Sequence, residues 1–133
     1  TFKWTKPFGT GDGPVRSLVW SAGTGSRLFF STTTKTWAIT DNGAGTAPTA
    51  YWVPPPVISS PSNPLVYVGK AYIGTGMGQL LQLDATTSTP PTPLGVALTM
   101  SPEQIGRPTM DTQTGVIYVG TDGGTVYAVT YPF

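Results

Sequence analysis

The strongest constraint on this chain is that short apolar runs recur in pairs, each pair joined by polar, turn-rich sequence. The first members are Leu28-Phe29-Phe30, Leu65-Val66-Tyr67-Val68-Gly69 and Val116-Ile117-Tyr118-Val119-Gly120, whose starts lie 37 and 51 residues apart. The second members are Thr36-Trp37-Ala38-Ile39-Thr40, Leu80-Leu81-Gln82-Leu83-Asp84 and Val126-Tyr127-Ala128-Val129-Thr130. Each pair reads as a β-hairpin. In the last pair, Asp122-Gly123-Gly124 supplies residues that accept the positive φ angles of a tight turn. The runs are β-branched and aromatic, as strands prefer, and too short and too punctuated for helices. Several are almost continuously apolar, which predicts cover on both faces, as in sheets stacked one on another.

Composition supports this reading. The chain has 133 residues, with 17 Gly and 14 Pro, strong punctuation that favours short strands and turns. Charged residues make up 10%, well below the usual quarter of a soluble domain. The formal net charge is +1 without a Lys/Arg run, so nothing draws a nucleic-acid backbone or an anionic membrane. With no Cys there is no disulfide, thiolate metal site or haem attachment. With no His, the commonest general base and transition-metal ligand is missing. No apolar stretch approaches the length of a membrane helix.

Two more strands are expected for each hairpin. The nearer one is read in Pro14–Val19, Pro56–Ser60 and Ile105–Met110; the farther in Phe2-Lys3-Trp4, Tyr51-Trp52-Val53 and Leu94–Ala97. The expected order is outer strand, inner strand, two middle strands, in repeats of roughly 1–45, 46–88 and 89–133. Here a family resemblance appears. Gly115-Val116-Ile117-Tyr118-Val119-Gly120-Thr121-Asp122-Gly123-Gly124-Thr125-Val126-Tyr127-Ala128-Val129 resembles the strand-turn-strand core of the PQQ-type, quinoprotein-like β-propeller repeat. The middle repeat departs from it, with a longer Gly-rich connection from Lys70 to Gly78 that contains Ala71-Tyr72-Ile73, and the first lacks the Asp-Gly turn. The resemblance implies an all-β fold of about three four-stranded antiparallel blades. It does not imply a cofactor, since fold is a poor warrant for function.

Closed propellers need about four to eight blades. Three would leave two open apolar faces, and stacked arrays need polar caps at their ends. The expected partners are therefore further blades, from a parent or partner polypeptide or from a second copy of the chain. The start at Thr1 and the low-charge, Cys-free composition point to secretion, to the extracellular space, the cell surface or the periplasm.

Candidate chemistry is sparse, and no catalytic residue is assigned. Asp41, Asp111 and Asp122 sit in turn contexts, where short carboxylates cap backbone groups. Asp41-Asn42-Gly43 and Asp122-Gly123-Gly124 lack the alternating ligands of a calcium loop. Gly74-Thr75-Gly76-Met77-Gly78 has neither the βαβ context of a dinucleotide loop nor the Lys of a phosphate loop. Arg16 and Arg107 fall at matching places in the first and third inner strands, where Ile58 stands in the second. They suit either structural hydrogen bonds, the stronger reading, or an anionic ligand. Trp4, Trp20, Trp37 and Trp52 are expected to pack between blades.

The function expected is a non-catalytic interaction and structural module that docks with further blades. One alternative is a fragment of a quinone-dependent dehydrogenase, whose site Trp37, Trp52 and Arg107 would have to form without an acidic cluster. Another is a carbohydrate-binding propeller with rim aromatics Tyr51, Trp52 and Tyr72.

Overall fold

The β-branched and aromatic runs do form strands, and hairpin turns set their register. The computed structural model describes residues 4–8, 11–16, 18–22, 25–43, 45–89, 92–99 and 101–133. These hold eleven strands and no α-helix: β1 (Val19–Ser21), β2 (Arg27–Ser31), β3 (Thr36–Thr40), β4 (Thr49–Ala50), β5 (Leu65–Tyr67), β6 (Lys70–Gly74), β7 (Gln79–Asp84), β8 (Leu94–Ala97), β9 (Thr109–Asp111), β10 (Val116–Gly120) and β11 (Val126–Thr130). They build three antiparallel meanders, β1-β2-β3-β4, β5-β6-β7-β8 and β11-β10-β9.

Two strand expectations are corrected. Lys70–Gly74 is not a connection but β6, the central partner of both β5 and β7. The chain reverses at Val68-Gly69, where φ is 42° and 71°. A two-residue turn with both φ positive matches the twist of a hairpin. The equivalent second strands then begin at Arg27, Lys70 and Val116, 43 and 46 residues apart, a far more even period than the sequence runs suggested. The farther strands also pair backward rather than forward: β4 extends β3 and β8 extends β7, so each closes the sheet that precedes it. Tyr51-Trp52-Val53 lies just beyond β4, and Pro56–Ser60 contributes only an isolated bridge between Val57 and Lys35. Trp4 is not in a strand, and Phe2 and Lys3 lie outside the described residues.

The sheets stack in chain order with the second in the middle. Its strands alternate, as the pleat requires. Ala71, Ile73 and Leu83 meet Phe29 and Ala38 of the first sheet, while Tyr72 and Leu80 meet Ile117 and Val119 of the third. This two-sided cover explains the near-continuous apolar character of β6 and β7. Trp52 and Ile58, from the connection between the sheets, fill the first layer, and Ile105 fills the second.

A repeated backbone interlock ties each sheet to the next. The turn between β2 and β3 accepts from Ile58 N–H at Thr34 O (2.9 Å) and donates from Thr36 N–H to Pro56 O (3.1 Å). The turn between β6 and β7 does the same with Ile105 N–H to Thr75 O (2.9 Å) and Gly78 N–H to Glu103 O (2.9 Å).

The two outer faces differ. The far face of the first sheet is partly sealed by the chain itself: Phe8 meets Phe30 edge-on at 5.1 Å and Trp37 at 5.5 Å. Nearby, Lys35 pairs with Asp12 at 2.9 Å, and Trp4 Nε1 donates to Asp41 Oδ1 at 3.2 Å. The expectation of an open face at both ends is thus corrected at this end, although Trp20 on the same face stays exposed. At the other end β10 buries only Ile117 and Val119, and β11 alternates between exposed and half-buried residues, leaving Val126 73% and Tyr118 39% exposed. The third sheet has no fourth strand among the described residues, so β11 is a free edge.

Candidate functional site

The segments leading into the three first strands converge on an open cavity of about 550 Å³. Its walls are Arg16, Ser62, Asn63, Gln104, Ile105, Gly106 and Arg107. The convergence follows from one repeated hydrogen bond. Three residues before each first strand, a backbone N–H donates to the last carbonyl of the second strand: Arg16 to Ser31 O (2.9 Å), Ser62 to Gly74 O (2.8 Å) and Gly106 to Gly120 O (2.8 Å). This bond defines the true equivalence. Arg16 matches Ser62 and Gly106, so Arg107 stands one place further along than Arg16. Ile58 has another role, matching Ile105 in the sheet-to-sheet interlock.

The walls are held firmly. Ser62 Oγ donates to Asn63 O (3.1 Å) and accepts from Gly74 N–H (2.9 Å), while Ser62 O accepts from Ser31 Oγ (2.7 Å). Gln104 Nε2 donates to Ser60 O (3.1 Å) and Ile105 O (2.9 Å), and Gln104 N–H donates to Asp122 Oδ1 (3.0 Å). The two guanidinium groups are exposed, and the lining contains no carboxylate.

The aromatic candidates lie elsewhere and are used for packing. Trp52 is fully buried, edge-on to Phe29 at 5.5 Å, with Nε1 donating to Thr87 O at 3.2 Å. Tyr72 is also fully buried and donates its hydroxyl to Gln82 Oε1 at 3.1 Å. Burial pushes its phenol well above the ordinary tyrosine range, and Tyr131 adds to the shift. Tyr51 is half-buried, donates to Thr86 O at 2.6 Å, and carries the Arg27 guanidinium 3.4 Å above its ring. Trp52 and Tyr72 therefore present no ring face to the surface, and Arg27 covers one face of Tyr51. Among the described residues, the large aromatics that the structure does expose are Trp20 and Tyr118.

Two of the turn carboxylates expected to cap backbone groups do so. Asp41 accepts from Gly43 N–H (3.0 Å), and Asp111 accepts from Gln113 N–H (2.9 Å) and the Thr114 hydroxyl (2.7 Å). Among the described residues, no three His, Cys, Asp or Glu side chains gather as a metal site. Sequence reading named both arginines of the cavity but missed Ser62, Asn63, Gln104 and Gly106. The recurring position three residues before each first strand would have pointed to two of them, had the phase of the middle repeat been right. Comparison with family models, curated proteins and solved structures finds no match for this chain.

Proposed function

We propose that this chain is a non-catalytic segment of a β-propeller, an interaction and structural module that assembles with further blades of the same kind. The observation that carries the reading is the contrast between the third sheet and the other two. The first and second sheets have four strands each, and each passes the same backbone interlock to its successor. The third has three strands, a free β11 edge among the described residues, and an outer face bearing Val126, Tyr118 and Ala128. Free edges are templates for strand addition, and an exposed apolar face beside one offers area to a stacked sheet. The proposed occupant is a further antiparallel blade whose strand extends β11, supplied by a parent or partner polypeptide or by a second copy. The low-charge, Cys-free composition supports an extracellular, cell-surface or periplasmic setting.

Light scattering on size-fractionated protein tests this. The wild-type chain is expected to exceed its 13.9 kDa monomer mass as concentration rises. Val126→Asp, at a 73% exposed position, should return it to monomer without loss of folding. A folded chain that stays monomeric at every concentration, with β11 amides as protected from exchange as those of β7, overturns the proposal.

A further inference from the structure

The described cations separate into two groups. Lys35 pairs with Asp12 and Lys70 with Asp84. Lys6 donates to Pro48 O at 2.7 Å, and Arg27 donates to Ala85 O at 3.0 Å while stacking on Tyr51. Only Arg16 and Arg107, among the described residues, have side chains with no hydrogen-bond or carboxylate partner. Both residues line one cavity. They reach it from different places in the chain, one ahead of the first sheet and one ahead of the third, with Ser62 and Asn63 of the second sheet's lead-in between them in sequence.

We propose that this cavity binds a small polycarboxylate, with Arg16 and Arg107 each taking one carboxylate. A guanidinium offers a planar fork that matches a carboxylate in two parallel hydrogen bonds. Two such forks on one concave wall suit a ligand that carries two or more carboxylates on a short carbon skeleton. The volume, about 550 Å³, is of small-molecule size. The lining holds two cations and no carboxylate, so a dianion meets no charge of its own sign there. The firm wall built by Ser62 and Gln104 holds the shape in advance, which lowers the ordering cost of binding. None of the lining residues belongs to β11, and the binding proposal does not rest on the assembly proposed above.

Citrate is the probe, titrated into the full chain by calorimetry at low and high NaCl, with acetate and sulfate as comparisons. Saturable citrate binding is expected, weakening as salt rises because the site is open to screening. Arg16→Gln and Arg107→Gln should each weaken binding by about tenfold at low salt, the loss of one charged hydrogen-bonding partner. Arg16→Lys should recover only part of that loss, since lysine keeps the charge without the fork. Thermal midpoints of the variants should match wild type, because neither guanidinium holds another part of the described chain. The proposal is overturned by no saturable binding of citrate, by affinity unchanged in both Gln variants, or by acetate binding as tightly as citrate.

Discussion

Gly74 and Gly120 occupy the same place in successive sheets, and the structure assigns them very different tolerance for one methyl group. Each ends a second strand and accepts a backbone hydrogen bond at 2.8 Å, from Ser62 and Gly106 respectively. A Cβ on Gly74 would lie 2.5 Å from Ile105 O and 2.6 Å from Gly106 O, the backbone of the next sheet's lead-in. A Cβ on Gly120 would meet nothing within 4 Å. In Gly74→Ala the neighbouring backbone must move, at an overpacking cost of about 1–3 kcal/mol. That movement also strains the Ile105 N–H to Thr75 O bond, worth about 1 kcal/mol. The reduced freedom of the unfolded chain returns about 0.4–1 kcal/mol. The net expectation is a loss of about 1–3.5 kcal/mol, or roughly 3–18 °C in midpoint for a chain of this size. Gly120→Ala should stay within about 0.5 kcal/mol of wild type. Urea titration and calorimetry of both variants give the comparison. Equal effects within about 0.5 kcal/mol would refute the sheet-to-sheet interlock. In the assembled protein proposed above, where another blade packs on the third sheet, Gly120→Ala should become as costly as Gly74→Ala.

Two further outcomes follow from burial and charge. Leu80 is fully buried between the second and third sheets, so Leu80→Ala should cost about 2–5 kcal/mol. Leu94→Ala, in the same sheet at 56% exposure, should change denaturant stability by no more than about 0.5 kcal/mol. Hydrogen bonds from the Thr86 hydroxyl and N–H, with Lys70 adding to them, hold the Asp84 carboxyl below its ordinary 3.8 against a smaller effect of burial. The Thr114 hydroxyl and the Gln113 N–H do the same for Asp111. A depressed folded value stabilises the fold above the ordinary value and loses that effect as pH falls through the folded one. The thermal midpoint should therefore fall as pH drops below about 3.8, and Asp84→Asn combined with Asp111→Asn should flatten that fall.

Local sequence was sufficient where turn chemistry and strand propensity agree. The hairpin of β10 and β11 is legible residue for residue, because Asp122-Gly123-Gly124 marks the reversal between two β-branched runs. β3 is equally plain. The middle sheet was misread because Tyr67-Val68-Gly69 repeats the tripeptide Tyr118-Val119-Gly120. In the third sheet that tripeptide ends a strand. In the second it is the reversal itself, with Val68 at a φ of 42°, a region that β-branched side chains avoid. No local preference of valine signals that turn. It is imposed by the packing of Ala71, Ile73, Tyr72 and Leu80 on the two neighbouring sheets, which makes β6 a central strand.

The residues by themselves determined an all-β chain of stacked antiparallel hairpins, since runs of this length and branching have no other good conformation. They also drew attention to Arg16 and Arg107, through an alignment of inner strands that the structure shifts by one residue. Only the tertiary structure decided which strands pair and which aromatics are covered, and that both arginines line one cavity. Strand pairing and burial depend on contacts between residues distant in sequence, and turns of similar composition give no measure of that distance. The cavity exists because one backbone hydrogen bond recurs at the head of three sheets, and a single linear pattern cannot display that repetition until its phase is known.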